Sequence, residues 1–337
     1  MPAKTLELTL VNGSPENCGI QYGEAFGTNI LKFYNQEVQS YENKYKSYTA
    51  QCWLYIQDAA PHSADFIVGI SRSSKITTDR LVLLLLHEEL FQISQQGHYH
   101  CTAFAAQSDS GLKNDVLVGQ SWDWPKTAYR WPGLLKVNST AYARTLTYHY
   151  PGLWAALGIN EYGLALMWTD GFNAPILPKL GLPTYLLIAE ILQKKTVAEA
   201  IEYLKRIKNA GSFIFLMGDA AGDYCVIEAT PDKILTRRSR KPLSRANNFL
   251  LHPTNLKFIE NSDYKNSLKR QRLMRELLLE QPLTQERCMQ VLTQPPIIYG
   301  TEPGGMSIDC FLAVCKDRTL LACRGGKTPG PWQKITV

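Results

Sequence analysis

The apolar periodicity of this chain changes at residue 101, and that change limits the folds open to it. Before it, Ile20, Phe26, Ile30, Phe33, Tyr34 and Val38 recur at helical spacing within residues 17–45. A second helix is expected through LVLLLLHEELFQI, capped by Thr78 or Asp79. From Cys101 onward the texture is strand-like. CTAFAAQ, the turn-rich SDSGLKND and VLVGQSW read as one hairpin. GLWAALGI with LALMWT, SFIFLMGD with YCVIEAT, and the two halves of IDCFLAVCKDRTLLACRG read as three more. Helices fall in pairs between them: PTYLLIAEILQKK with residues 196–208, and residues 263–280 with 284–293. Residues 196–208 open on the capping box Thr196-Val197-Ala198-Glu199.

Antiparallel pairs of strands with helices grouped between them exclude the alternating order of a parallel doubly wound sheet. The expected class is α+β, a four-layer αββα sandwich of two antiparallel sheets. No internal repeat or low-complexity linker divides the chain, so one compact unit is expected. Within it, residues 1–100 read as a mainly helical segment, in the manner of a propeptide or small chain packed on the core. Residues 101–337 read as the sandwich itself.

With 337 residues, 45% hydrophobic and 20% charged, a large core can be buried. The net charge of +6 is weak for a nucleic-acid binder and compatible with an anionic substrate. The most apolar run, residues 81–86, is too short to span a bilayer and is followed at once by Glu88 and Glu89. The N-terminus lacks an apolar stretch of signal-peptide length, and the eight cysteines form no CxxC. A cytoplasmic protein with reduced thiols, without membrane span or nucleic-acid partner, is expected.

The first hairpin carries the chemistry. With its turn centred near Leu112, antiparallel pairing brings Asp123 of GQSWDWP back beside Cys101. A thiol has a reference pKa of about 8.5 and needs a base to act near neutrality. Cleavage before Cys101 would supply one: its own α-amino group, with a reference pKa of about 7.7 to 8.0. Asp123 would then orient the resulting ammonium.

Several segments, in order, resemble the acyl-coenzyme A:6-aminopenicillanic acid acyltransferase family of N-terminal-nucleophile (Ntn) hydrolases. They are GSPENCGIQYGEAFGTNI, Cys101-Thr102, GQSWDW, GINEYGLAL, RANNFL and NSLKRQRLMRELL. In GQSWDW, Ser121 stands where the family has Asn. The resemblance implies the Ntn-hydrolase fold and a precursor cut after His100. Cys101 would be the nucleophile, Asp123 the residue holding the new amino group, and Asn247 an oxyanion donor. Thr102, Trp122 and Arg324 are the candidate substrate-binding residues; Arg324, at the end of the last strand, reads as facing the site, as holding a carboxylate, or as a solvated strand end. No metal or cofactor is needed. The implied partner is a small-molecule amide or acyl compound, a coenzyme A thioester included.

Two positions depart from the family: His100 stands where Gly is common before the nucleophile, and Asn248 replaces the His of Asn-His. Two other readings stay open: an uncleaved cysteine hydrolase with His100 as base, and a non-catalytic scaffold of the same fold. His98 and His100 read as loop residues rather than a metal pair. The basic run at residues 233–245 reads as a solvated strand and loop or a phosphate contact. Trp53, Trp131 and Trp154 read as core or as an acyl pocket. The glycines of residues 13–27 make no phosphate loop, because no Gly-Lys-Ser/Thr follows.

Overall fold

The computed structural model of the chain describes residues 5–94, 101–109, 114–171, 178–252, 262–280, 282–298, 306–325 and 329–337. Within these, two sheets pack face to face. The smaller has β2 (Thr102–Gln107) and β3 (Val116–Trp124) at its heart. β11 (Leu243–Arg245) flanks β2, and β12 (Met306–Val314), β13 (Thr319–Arg324) and β14 (Trp332–Thr336) follow β3. The larger runs β1 (Leu8–Gly13), β4 (Gly133–Ser139), β5 (Thr145–Tyr150), β6 (Leu153–Asn160), β7 (Ala165–Asp170), β8 (Phe213–Gly218), β9 (Tyr224–Thr230) and β10 (Lys233–Arg238).

Helices cover both outer faces. α1 (Pro15–Glu37) and α6 (Thr184–Ile191) rest on the larger sheet; α2 (Glu42–Ala59), α3 (Pro61–Ser73), α4 (Thr78–Leu85), α5 (His87–Ser94) and α7 (Val197–Arg206) complete the helices before β8. α8 (Ser262–Leu279) and α9 (Gln285–Leu292) rest on the smaller sheet. The chain is an αββα sandwich, as the hairpin order requires. Strands buried on both faces explain the long apolar runs: every residue of β3, β6 and β8 is buried. The basic residues at 233–238 lie on β10, the outermost strand of the larger sheet, where Lys233, Arg237 and Arg238 are exposed. No helix among the described residues is long and apolar enough to cross a membrane.

The structure corrects the sequence reading in two places. The sheets are not wholly antiparallel, because β1 lies parallel to β4. The helical stretch between β1 and β2 supplies the crossover such a parallel strand needs. The expected helix through LVLLLLHEELFQI is two helices, α4 and α5, broken at Leu86, and the N-cap position of α4 is Thr77.

The glycines near the N-terminus make a helix seam. A Cβ on Gly19 would lie 2.1 Å from the Phe66 carbonyl oxygen, and one on Gly69 would lie 2.1 Å from that of Glu16. Only hydrogens at these two positions let α1 and α3 touch backbone to backbone. Gly19→Ala and Gly69→Ala are each expected to lower the unfolding free energy by about 1–3 kcal/mol through overpacking, as read from urea titrations.

Candidate active site

The register of the smaller sheet assembles the site. Thr102 pairs with Ser121, so one further step sets Trp122, rather than Asp123, opposite Cys101. The turn expected at residues 111–113 lies outside the described residues, and the strand pairing is one residue out from the centre placed at Leu112. Asp123 is nonetheless in contact: its N–H donates to Cys101 Sγ at 3.3 Å, and Sγ lies 3.7 Å from its carbonyl oxygen. On the other side, Arg245 pairs with Ala103; two further steps bring Asn247 level with Cys101.

The Asp123 carboxylate is buried. Its Oδ1 accepts from Ser307 Oγ and, at 3.2 Å, from Ser121 Oγ. Its Oδ2 has no hydrogen-bond partner among the described residues. Burial pushes its pKa up to about 6, against the pull of the Arg270 charge and the two hydroxyls. Burial also pushes the Cys101 thiol well above its usual range, and the Asp123 charge adds to this. In this state the thiol is a weak nucleophile.

One residue of the NSLKRQRLMRELL helix organises the strand ends. Arg270, from α8, is 1% exposed. It donates to the Cys101 carbonyl at 2.9 Å, the Thr102 hydroxyl at 2.5 Å, Asn247 Oδ1 at 3.0 Å and Asn266 Oδ1 at 2.7 Å. Its helix neighbour Ser267 accepts the Asn247 N–H at 2.8 Å. The loop bearing Asn247 is pinned again by a buried ion pair, Arg245 to Glu228 at 2.8 Å, whose carboxylate also takes the N–H groups of Leu250 and Leu251. The motif pattern pointed to Ser267 and Arg270 without assigning either a task.

A narrow pocket lies between the sheets, lined by Cys101, Trp122, Asp123 and Trp124 on one side. Trp168, Thr169 and Asp170 of the larger sheet and Glu88 of α5 line the other. Thr102 does not line it; it is the buried acceptor for Arg270. Arg324 does not line it either. It sits over the Tyr129 ring at 4.2 Å, donates to the Tyr129 carbonyl, and pairs in register with Asp309. Of the other tryptophans, Trp53 packs half-buried against the core, Trp154 lines a separate cavity under α6, and Trp131 lines a surface groove with Arg130. His98 and His100 lie outside the described residues, and the base and metal readings placed on them lie there too.

Sequence reasoning passed over a buried acidic group beside this pocket. His87 lies 3.3 Å from both Glu88 Oε1 and Glu37 Oε2 and stacks on Trp124. Burial alone would lower its pKa, but these two carboxylates raise it to about 9. Glu89, raised by burial to about 7, accepts from both the N–H and the hydroxyl of Thr184. The HEE run directly after a leucine stretch was the available signal: three titratable residues on a helix entering the core.

The family model described as acyl-coenzyme A:6-aminopenicillanic acid acyl-transferase matches residues 111–295, more than half of the chain. Among solved structures, the chain is similar to a variant of conjugated bile acid hydrolase from Clostridium perfringens. That likeness has 13% identity and a TM-score of 0.50, over 70% of this chain and 92% of that one, and shows a shared fold. It is also similar to penicillin V acylase from Agrobacterium tumefaciens, at 15% identity and a TM-score of 0.47, over 70% and 86% of the two chains. A third is the Caenorhabditis elegans N-acylethanolamine-hydrolyzing acid amidase ortholog, at 12% identity and a TM-score of 0.48, over 64% and 93%. No curated protein sequence matches the chain.

Two outcomes are expected. Arg270→Lys keeps the charge but cannot bridge Cys101, Thr102 and Asn247 together, so urea titration should show a loss of about 2 kcal/mol. Asp309 is raised by burial to about 7, Glu89 to about 7 and His87 to about 9. A folded pKa above the unfolded one means stability is present below the unfolded value and lost as pH rises through the folded one. The thermal midpoint should therefore fall from about pH 4.5 to about pH 9, the two carboxyls acting up to about 7 and His87 above about 6.5. Asp309→Asn should flatten the lower part of that fall.

Proposed function

The chain belongs to the acyl-coenzyme A:6-aminopenicillanic acid acyl-transferase family of Ntn hydrolases, and from that premise we propose that it is a cysteine amidohydrolase or acyltransferase activated by its own cleavage before Cys101. The observation that carries this reading is the one pocket shared by Cys101 and Asp123, with the thiol against the Asp123 backbone.

Activation begins when the Cys101 thiol adds to the carbonyl of His100. The peptide C–N bond breaks, the acyl group moves to sulfur, and the nitrogen gains a proton as the α-amine. Water then hydrolyses this thioester, which frees the His100 carboxylate and returns the thiol. The intact chain keeps Cys101 buried with a raised pKa, which suits a nucleophile held dormant until the cut.

In the processed enzyme the α-amine takes the thiol proton as sulfur attacks the substrate's acyl carbonyl. Asp123 Oδ2 steadies the resulting ammonium, while Ser121 and Ser307 hold Oδ1. Asn247, fixed at its Oδ1 by Arg270, turns its amide nitrogen to the oxyanion. The tetrahedral intermediate collapses to an acyl-thioester as the ammonium protonates the departing amine. Water or an acceptor amine then takes the acyl group, and the thiol is regenerated. Thr102 contributes by anchoring Arg270, and Trp122 by walling the pocket.

Intact-mass measurement tests this directly. Wild type should appear as two associated fragments split between His100 and Cys101, and Cys101→Ala as one chain. Cys101→Ala should also lower turnover of an acyl p-nitroanilide by at least about 10³-fold, the scale of losing a nucleophile. A wild type that stays uncut and fully active would overturn the mechanism.

A further inference from the structure

The polar groups lining the Cys101 pocket are nearly all of one kind. Asp123, Asp170 and Glu88 bring three carboxyl groups to it, and no Lys, Arg or His lines it among the described residues. Thr169 turns its hydroxyl away, donating to the Ala246 carbonyl at 2.6 Å. The Trp122 and Trp168 indole N–H groups are likewise directed into the protein, to Tyr150 Oη at 3.0 Å and the Ala156 carbonyl at 2.6 Å. Apart from the Trp124 indole N–H and the Cys101 thiol, the lining offers acceptors and aromatic carbon.

The aromatic part is arranged as a corner. Trp122 and Trp124 are stacked, 5.6 Å apart and 5° from parallel, and Trp168 meets Trp122 at 69° and 5.8 Å. Such faces attract a desolvated cation through the ring quadrupole. Acceptor capacity is left over as well: Asp123 Oδ2, on a side chain 1% exposed, and Asp170 Oδ1 have no hydrogen-bond partner among the described residues. Burial, the neighbouring Glu88 charge and a hydrogen bond between the two carboxyls hold the Asp170 carboxyl well above the usual range. The nearest cations stand outside the lining: Arg270 donates to the Cys101 carbonyl and to Asn247, and His87 lies 3.3 Å from Glu37 and from Glu88, itself a carboxyl of the lining.

We propose that this pocket selects a compact cationic group: the substrate carries an ammonium near its scissile amide, held by Asp170 and Glu88 against the Trp122–Trp168 corner. This rests on the reading of the pocket as the site of Cys101 chemistry. Asp123 serves the freed α-amine of Cys101, and the two carboxyls on the far wall serve the substrate. A cation relieves the crowding of three carboxyls in one small space, whereas a carboxylate adds to it. Substrates bearing an anion at this position are excluded.

The three indoles of the pocket report on binding without catalysis. Tryptophan fluorescence of the wild type would be titrated with n-propylammonium chloride, sodium propionate and 1-propanol, none of which has an acyl bond to cleave. Saturable binding of propylammonium, at least tenfold tighter than either counterpart, is expected. Asp170→Asn in the same background should weaken propylammonium about tenfold and leave 1-propanol unchanged; Glu88→Gln is the second variant if Asp170→Asn does not fold. Propionate binding as well as propylammonium, or the absence of saturable propylammonium binding, would overturn the proposal.

Turnover separates the two readings. Wild type should hydrolyse 3-aminopropanoyl p-nitroanilide with a kcat/KM at least tenfold above the butanoyl and 3-carboxypropanoyl counterparts. Equal turnover of all three would sink the cation preference and leave the cysteine mechanism standing. Selective propylammonium binding by a wild type inert to every amide would do the reverse.

Discussion

A single buried guanidinium ties the site together. Arg270 reaches from α8 across the smaller sheet to the Cys101 carbonyl, the Thr102 hydroxyl and the Asn247 side chain. A charge so deep in protein persists only where its donors are matched and an opposite charge lies near. Four acceptor contacts and the Asp123 carboxylate supply those conditions. In meeting them, the guanidinium sets the start of β2 and the loop after β11 at fixed positions relative to each other. The proposed nucleophile and the proposed oxyanion donor thus share one brace.

The same burial that demands this brace shapes the chemistry. Low-dielectric surroundings raise the Cys101 thiol well above its usual range, so it is not in its reactive form by default, whereas Asp123, brought up only to about 6, stays mostly ionised near neutrality. In the proposed mechanism, reactivity waits on a new charge, the α-ammonium, forming where Asp123 has an oxygen to spare. A fold that covers both faces of the smaller sheet makes such a dormant state natural, because the strand carrying the thiol has no wet face.

The fold class was readable because hairpins leave local marks. Paired apolar runs with turn residues between them prescribe β2 with β3, β6 with β7, β8 with β9 and β12 with β13, and all four pairs are present. β4, β5 and β14 were passed over; their segments mix polar residues with apolar ones, as β4 does in GLLKVNS. β1 was hidden more completely, since its partner β4 lies some 120 residues away in sequence and no local pattern encodes a parallel edge. Within the site, the proximity of Cys101 and Asp123 followed from a turn position alone. The pinning of Asp123 by Ser307 did not, because it spans 184 positions. Arg324, placed near the chemistry by its strand, is instead engaged with Tyr129 and Asp309.

What the sequence determined by itself is what short-range physics encodes: the periods of the helices and strands, the hairpin pairs, and a cysteine and an aspartate returned to one another by a single turn. What only the tertiary structure decided is everything that crosses between layers. Arg270 on Asn247, Asp170 facing Cys101 across the sheets, and the helix of Glu88 closing the same pocket are such features. The reason is that a backbone pattern specifies which face of an element is apolar, while the pairing of faces from distant elements is set by the packing and charge balance of the whole core.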